Sequence, residues 1–196
     1  MRCLCQSRRG VLFGLAAAGV GLALPKVALA GTADALVLTC MDYRLIDDAL
    51  RYFHGRGLTN KYDHIVLAGA SAGALGKLGS DWASTFWKHV DTAIQLHHVR
   101  ELIVVDHRDC GAFKIVYGAD SIAERVRETN LHRTLLHKLR AEVGARHPTL
   151  RTQLLLMDLE GKVEDLSASV EAEGAAAPAG GGAAAEAHEA AAAPGH

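Results

Sequence analysis

Three stretches of this chain read as strands, 35–39, 101–106 and 150–159, the first apolar up to its last residue and the second built on the apolar core Leu102-Ile103-Val104-Val105. A strand with one face in water alternates polar and apolar residues. An unbroken apolar run bounded by turn residues instead suits a strand covered on both faces. Between the runs lie segments of helical period. Over 45–53, Leu45, Ile46, Ala49, Leu50 and Phe53 share one face, and over 80–99 Trp82, Phe86, Val90 and Ile94 recur every four residues behind a capping Ser80 or Asp81. A further strand is expected at 64–68, ending in the turn Gly69-Ala70-Ser71-Ala72-Gly73. A second long helix is expected over 121–143, closed by Gly144 and Pro148, and a short last strand at 163–166 after the turn at Gly161-Lys162. Strands alternating with helices predict an α/β fold: one domain with a mainly parallel central sheet, four parallel strands plus a short fifth, flanked by helices.

That domain spans 31–166. Residues 1–30 read as an export signal, with Arg8-Arg9 in a basic start, an apolar stretch over 11–24, and Ala28-Leu29-Ala30 as the cleavage triplet. Ser7-Arg8-Arg9-Gly10-Val11-Leu12 resembles a twin-arginine signal, which carries folded proteins, so the expected location is periplasmic or extracellular. No later stretch approaches the ~20 apolar residues of a membrane span, so no stable span is expected once the signal is removed. Residues 167–196, mostly Ala and Gly, read as a disordered tail.

Removing 1–30 takes away Arg2, Arg8, Arg9 and Lys26 and no acid. Lys+Arg falls from 21 to 17 against 22 Asp+Glu, and net charge from −1 to −5. A mildly acidic domain without a basic stripe argues against a nucleic-acid partner. It also removes Cys3 and Cys5, leaving Cys40 and Cys110. Two cysteines in an exported protein would ordinarily suggest one disulfide.

Their surroundings point elsewhere. Cys40 lies in Thr-Cys-Met-Asp-Tyr-Arg (39–44) at the exit of the first strand. His107 and Cys110 close Val-Asp-His-Arg-Asp-Cys-Gly (105–111) at the exit of the third. Ligands gather at the carboxyl ends of parallel strands, so the two exits can meet. Two thiolates and an imidazole suit zinc, and three protein ligands leave a fourth position open for chemistry. Cys110 stands just before a helix start near Ala112, where a thiolate is favoured. Asp42 and Arg44, two apart, share a side and can pair; the guanidinium would keep the carboxylate from ligating the metal itself. His54 is a candidate at most for proton transfer. His97 and His98 point apart, and His132 and His137 lack the spacing of a metal pair.

The pattern Cys-x-Asp-x-Arg followed by His-x-x-Cys resembles the β-class carbonic anhydrases, from the first strand at Ala35 to the last near Leu166, including the turn 158–162. The resemblance implies a zinc lyase, with one Zn(II) per chain, in which a zinc-bound hydroxide interconverts carbon dioxide and bicarbonate. Cys40, His107 and Cys110 would be the ligands and Asp42 and Arg44 the catalytic pair, with Asp42 as an alternative fourth ligand. The resemblance also implies a homodimer or larger assembly. The chain is a divergent member. Ala70-Ser71-Ala72-Gly73 stands where the family commonly has Arg-Asn-Ala-Gly, and Asp106 where a Gly often precedes the histidine. No pocket Gln is identifiable between Leu45 and Tyr62, and the N-terminal arm shrinks to 31–34. Two other readings stay open: a hydrolase of carbon disulfide or carbonyl sulfide on the same scaffold, and a zinc- or bicarbonate-binding protein without turnover.

Overall fold

The computed structural model describes residues 31–168. The export signal expected over 1–30, and all but Ser167 and Ala168 of the expected tail, lie outside the described residues.

In chain order, β1 (Ala35–Thr39) leads through a 3-10 turn (Tyr43–Leu45) into α1 (Ile46–Gly55) and β2 (Tyr62–Val66). The short α2 (Ser71–Ala74) and long α3 (Ser80–His97) follow, then β3 (Glu101–His107) and α4 (Gly111–Tyr117). After a second 3-10 turn (Ala119–Ser121) come α5 (Arg125–Arg146), β4 (Arg151–Met157) and β5 (Val163–Asp165). The sheet order is β2-β1-β3-β4-β5. The first four strands run parallel, as the sequence predicts, and the short β5 runs antiparallel to β4. The chain first steps from β1 outward to β2, then crosses back to place β3 on β1's other side. The exits of β1 and β3 are therefore the point where the winding reverses and a crevice opens.

Each face of the sheet is covered differently. Leu36, Leu38, Leu102, Val104, Leu154 and Leu156 pack with Phe86 and Val90 of α3 and Leu136, Leu139 and Val143 of α5. On the other face Val37, Ile103, Val105, Leu155 and Met157 meet Leu45 and then Ala49 and Phe53 of α1. Phe53 is fully buried, its ring 5.5 Å from that of Tyr52 and 5.2 Å from that of Tyr62. Phe53→Ala should lower unfolding free energy by about 3–5 kcal/mol, through lost burial and the cavity left behind. Urea denaturation checks this, and a cost below ~1 kcal/mol would mean α1 is not a core element.

Several boundaries differ from the sequence expectation for local reasons. β2 begins at Tyr62, not His64, because this edge strand buries only Ile65 fully and carries no continuous apolar run to mark its start. α5 starts later than 121 because Glu124 is the cap, its carboxylate accepting the N–H groups of Val126 and Arg127. It also runs through Gly144 to Arg146, ahead of Pro148. β4 stops at Met157 because Asp158 turns the chain, its Oδ1 accepting from the N–H of Glu160 and of Lys162. Ser167 is tied to the sheet: its Oγ accepts the Leu154 N–H at 3.0 Å and its carbonyl accepts from Arg140 at 2.6 Å. Among the described residues no helix is long and apolar enough to cross a membrane.

Candidate metal centre

β1 delivers Cys40 and β3 ends on His107. Because the two strands are hydrogen-bonded neighbours in parallel register, with Thr39 opposite Val105, their exits lie side by side. Cys110 follows three residues later at the N-cap of α4. The ligand atoms of Cys40, His107 and Cys110 all lie within 4.8 Å of one another. Both cysteines are free thiols, with the sulfurs 4.0 Å apart, about twice the ~2.0 Å of a disulfide bond.

Imidazole orientation supplies the test of fit. His107 is 2% exposed, and its Nδ1–H donates to the Arg108 carbonyl at 2.8 Å. The lone pair is thereby placed on Nε2, which is buried with no hydrogen-bond partner. An orphaned buried nitrogen is costly. One fixed by its other ring nitrogen and directed at two sulfurs has the arrangement of a metal-binding histidine. Soft sulfur donors with an imidazole suit zinc.

Charge is distributed accordingly. The Cys40 thiol is pushed down to about 4, chiefly because the Cys110 thiol donates to it; burial opposes this, while His107 and the Gly69 N–H, 3.2 Å from the sulfur, assist. Cys110 is pushed far up, since it holds that proton beside the Cys40 charge and is itself buried. For His107 burial works against the imidazolium, but the Cys40 thiolate outweighs it and the net direction is upward. Of the two thiols, Cys40 is the one these contacts favour as the thiolate. Iodoacetamide at pH 6 should label Cys40 faster than Cys110, on the order of tenfold or more, by peptide mass mapping. Labelling in the reverse order would contradict this charge assignment.

Asp42 caps the 3-10 turn after β1, its Oδ1 accepting the Arg44 N–H at 3.1 Å. The Arg44 side chain then grips the same carboxylate twice, Nε to Oδ1 at 2.9 Å and Nη2 to Oδ2 at 2.7 Å. This bidentate pairing, more than the backbone bond, holds the Asp42 carboxyl down at about 2. Oδ2 lies 3.8 Å from His107 Nε2, so the dyad borders the ligand cluster. Sequence reasoning missed Asp109. It accepts Arg44 Nη1 at 2.9 Å on its carboxylate and Nη2 at 3.1 Å on its carbonyl, and pairs with Lys114. Its left-handed backbone, φ 55, aims it there. Asp is among the few residues that tolerate that region, the one signal that could have singled it out.

Beside the ligands is a cavity of about 300 Å³, lined by Thr39, Leu45, Ala49, His64, Val66, Val105 and Met157 together with Cys40 and His107. The other histidines lie elsewhere. His97 pairs with Asp63 at 2.7 Å, His137 binds the Leu166 carbonyl, and His54 is exposed at the end of α1. His132 is fully buried against Asp106.

The family model described as "Putative carbonic anhydrase" matches residues 31–139. The chain belongs to this family. Its curated relatives include an uncharacterized protein of Rickettsia conorii, 31% identical over 134 residues, covering 68% of this chain and 72% of the relative. Another, from Rickettsia bellii, is 30% identical over 134 residues, covering 68% and 82%. Among solved structures, a carbonic anhydrase from Glaciozyma antarctica overlays with a TM-score of 0.45 at 19% identity, covering 73% of this chain and 87% of that one.

Proposed function

We propose that this family member is a zinc-dependent carbonic anhydrase, catalysing the reversible hydration of carbon dioxide to bicarbonate. The observation that carries the reading is the unpartnered His107 Nε2, grouped with the Cys40 and Cys110 sulfurs beside an aspartate held by an arginine. Cys40, His107 and Cys110 would hold the metal. Zinc, when bound, supplies the Lewis acidity that brings the ionisation of a water close to neutral pH.

The chain's own residues do the rest. Asp42, fixed at both oxygens, offers an acceptor for the proton of the attacking oxygen and so aims its lone pair. Arg44 keeps that carboxylate from occupying the coordination position the reaction needs. The apolar cavity receives a small neutral molecule and excludes bulk water from it. Stopped-flow measurement of carbon dioxide hydration by zinc-loaded protein tests the proposal; a rate no higher than the uncatalysed one would end it.

The cavity favours one second reading. Leu45, Ile46, Ala49, Leu50, Val66 and Met157 make most of its wall apolar, and its polar side chains apart from Cys40 and His107, Thr39 and His64, are bonded to each other at 2.7 Å, which suits carbon disulfide or carbonyl sulfide as well. Either substrate turned over faster than carbon dioxide in a parallel assay would select the hydrolase.

A dimer or larger assembly belongs to the same proposal. Ile46, Leu50 and Val66 remain 51%, 39% and 49% exposed around the cavity, on the face that α1 alone covers. Light scattering that returned the mass of a single chain would remove this part.

A further inference from the structure

Three groups deep behind the ligand cluster take no part in the chemistry above. Asp106, Ser71 and His132 are 1%, 0% and 0% exposed, and none lines the apolar cavity. Asp106 accepts the Ser71 N–H at 2.9 Å on Oδ1. Its Oδ2 accepts the Ser71 hydroxyl at 2.6 Å and the His132 Nδ1–H at 2.9 Å. A buried carboxylate is tolerated only with such a set of donors. These donors come from two elements, α2 and α5, and converge on the end of β3.

What the carboxylate holds in place is a turn. Ala70, immediately before Ser71, sits at φ 35 and ψ −94, a backbone region that a residue with a Cβ keeps only when its surroundings impose it. One residue earlier, Gly69 at φ 68 donates its N–H to Cys40 Sγ at 3.2 Å. A residue with a Cβ would be strained at that φ, and its Cβ would stand only 3.0 Å from the Cβ of Ala112, which would have to give way. The direction of that N–H is thus set by the strained turn, and the turn is anchored by the two bonds from Ser71 to Asp106.

We propose that Asp106, acting through Ser71 and steadied by His132, is a positioning residue for the Cys40 thiolate. It locks the 69–71 turn so that the Gly69 N–H stays aimed at the sulfur, and thereby sets how strongly Cys40 donates to a bound metal. The proposal rests on the metal-binding reading of the site. A hydrogen bond to a thiolate draws charge away from the sulfur, and partners behind the ligands govern both metal affinity and ligand electronics. Releasing the turn should raise the energy of the sulfur lone pair and loosen the ligand geometry together.

Cobalt(II) titrated into the metal-free protein reads both effects. The wild type should bind one equivalent with an intense near-ultraviolet sulfur-to-cobalt band. In Ser71→Ala that band should move to longer wavelength, and the dissociation constant should rise on the order of ten- to a hundredfold. Asp106→Asn retains an oxygen for the Ser71 N–H and should fall between them, while Asp106→Ala should show the largest change. If Asp106→Ala fails to fold, Ser71→Ala, which loses a single oxygen atom, still decides the matter. A folded Ser71→Ala and Asp106→Asn with the wild-type band and affinity would overturn the proposal and leave the metal site standing. A lower melting temperature with an unmoved band would equally overturn it, since the cluster would then be only structural. No sulfur-to-cobalt band in the wild type would remove the metal reading itself, and this inference with it.

Discussion

Cys110→Ala should reduce bound zinc from about one equivalent per chain to almost none, measured by elemental analysis of the purified protein. With Cys110 gone, two ligands remain where a zinc site needs at least three from the protein. The surviving Cys40 also loses the thiol whose hydrogen bond does most to keep it ionised. Stability should respond as well. A metal that binds only the folded state stabilises it by RT ln(1 + [L]/Kd), about 4 kcal/mol at a thousandfold excess over Kd. Wild-type melting should therefore rise with free zinc, whereas Cys110→Ala should melt at one temperature whatever the zinc concentration. Retention of a full equivalent by the variant, or a wild type indifferent to chelators, would show that the metal lies elsewhere.

The second large effect concerns the dyad. Asp42→Ala should keep its zinc and lose turnover by on the order of a hundredfold, the scale of an orienting or proton-handling group. Arg44→Ala should fare worse for a different reason. Freed from its two bonds to Arg44, the Asp42 carboxylate, already 3.8 Å from His107 Nε2, can move in as a fourth ligand. X-ray absorption on the zinc-loaded variant should then find a carboxylate oxygen at ~2.0–2.2 Å. The double variant should regain part of the activity lost in Arg44→Ala, because the blocking group is gone; this non-additivity separates the two roles. Wild-type rates in both single variants with zinc in place would reduce the pair to a structural ion pair.

What could be read from the sequence followed the reach of each interaction along the chain. The apolar runs 35–38 and 102–105 gave β1 and β3, because a strand covered on both faces is apolar through its buried middle, whereas β4 opens on Arg151-Thr152-Gln153 and is continuously apolar only over 154–157. The grouping of Cys40, His107 and Cys110 was legible because each half sits directly at a strand exit, and parallel strands bring exits together. The edge strand β2 was placed two residues late, since its opening Tyr62-Asp63-His64 is interrupted by polar side chains and carries no such run. Asp109 escaped because its partner, Arg44, lies 65 residues away and its aim depends on a left-handed backbone. Of the Asp106, Ser71 and His132 cluster, the first two stood out as departures from the family pattern, but nothing in the sequence joined them to each other or to His132. The cluster joins three elements through side chains that stand, in one dimension, at a strand end, a turn and a helix position. The start of α5 was placed early, at Ser121, whose hydroxyl is engaged with the Gly118 carbonyl, while the carboxylate of Glu124 caps the helix.

The placement of the ligands on β1 and after β3 also bears on how the protein assembles. Cys40 and Cys110 are 70 residues apart in the chain, and only the pairing of the two central strands unites them, after the chain has detoured through β2. Closing so long a loop is slow and entropically costly, and a metal ion can repay none of that cost until the contact exists. On the zinc-binding reading proposed above, the metal is a latecomer that rewards completed assembly: it should act on the rate at which the native protein comes apart far more than on the rate at which it forms. A cell short of zinc would still make the folded chain, but one whose lifetime is shorter.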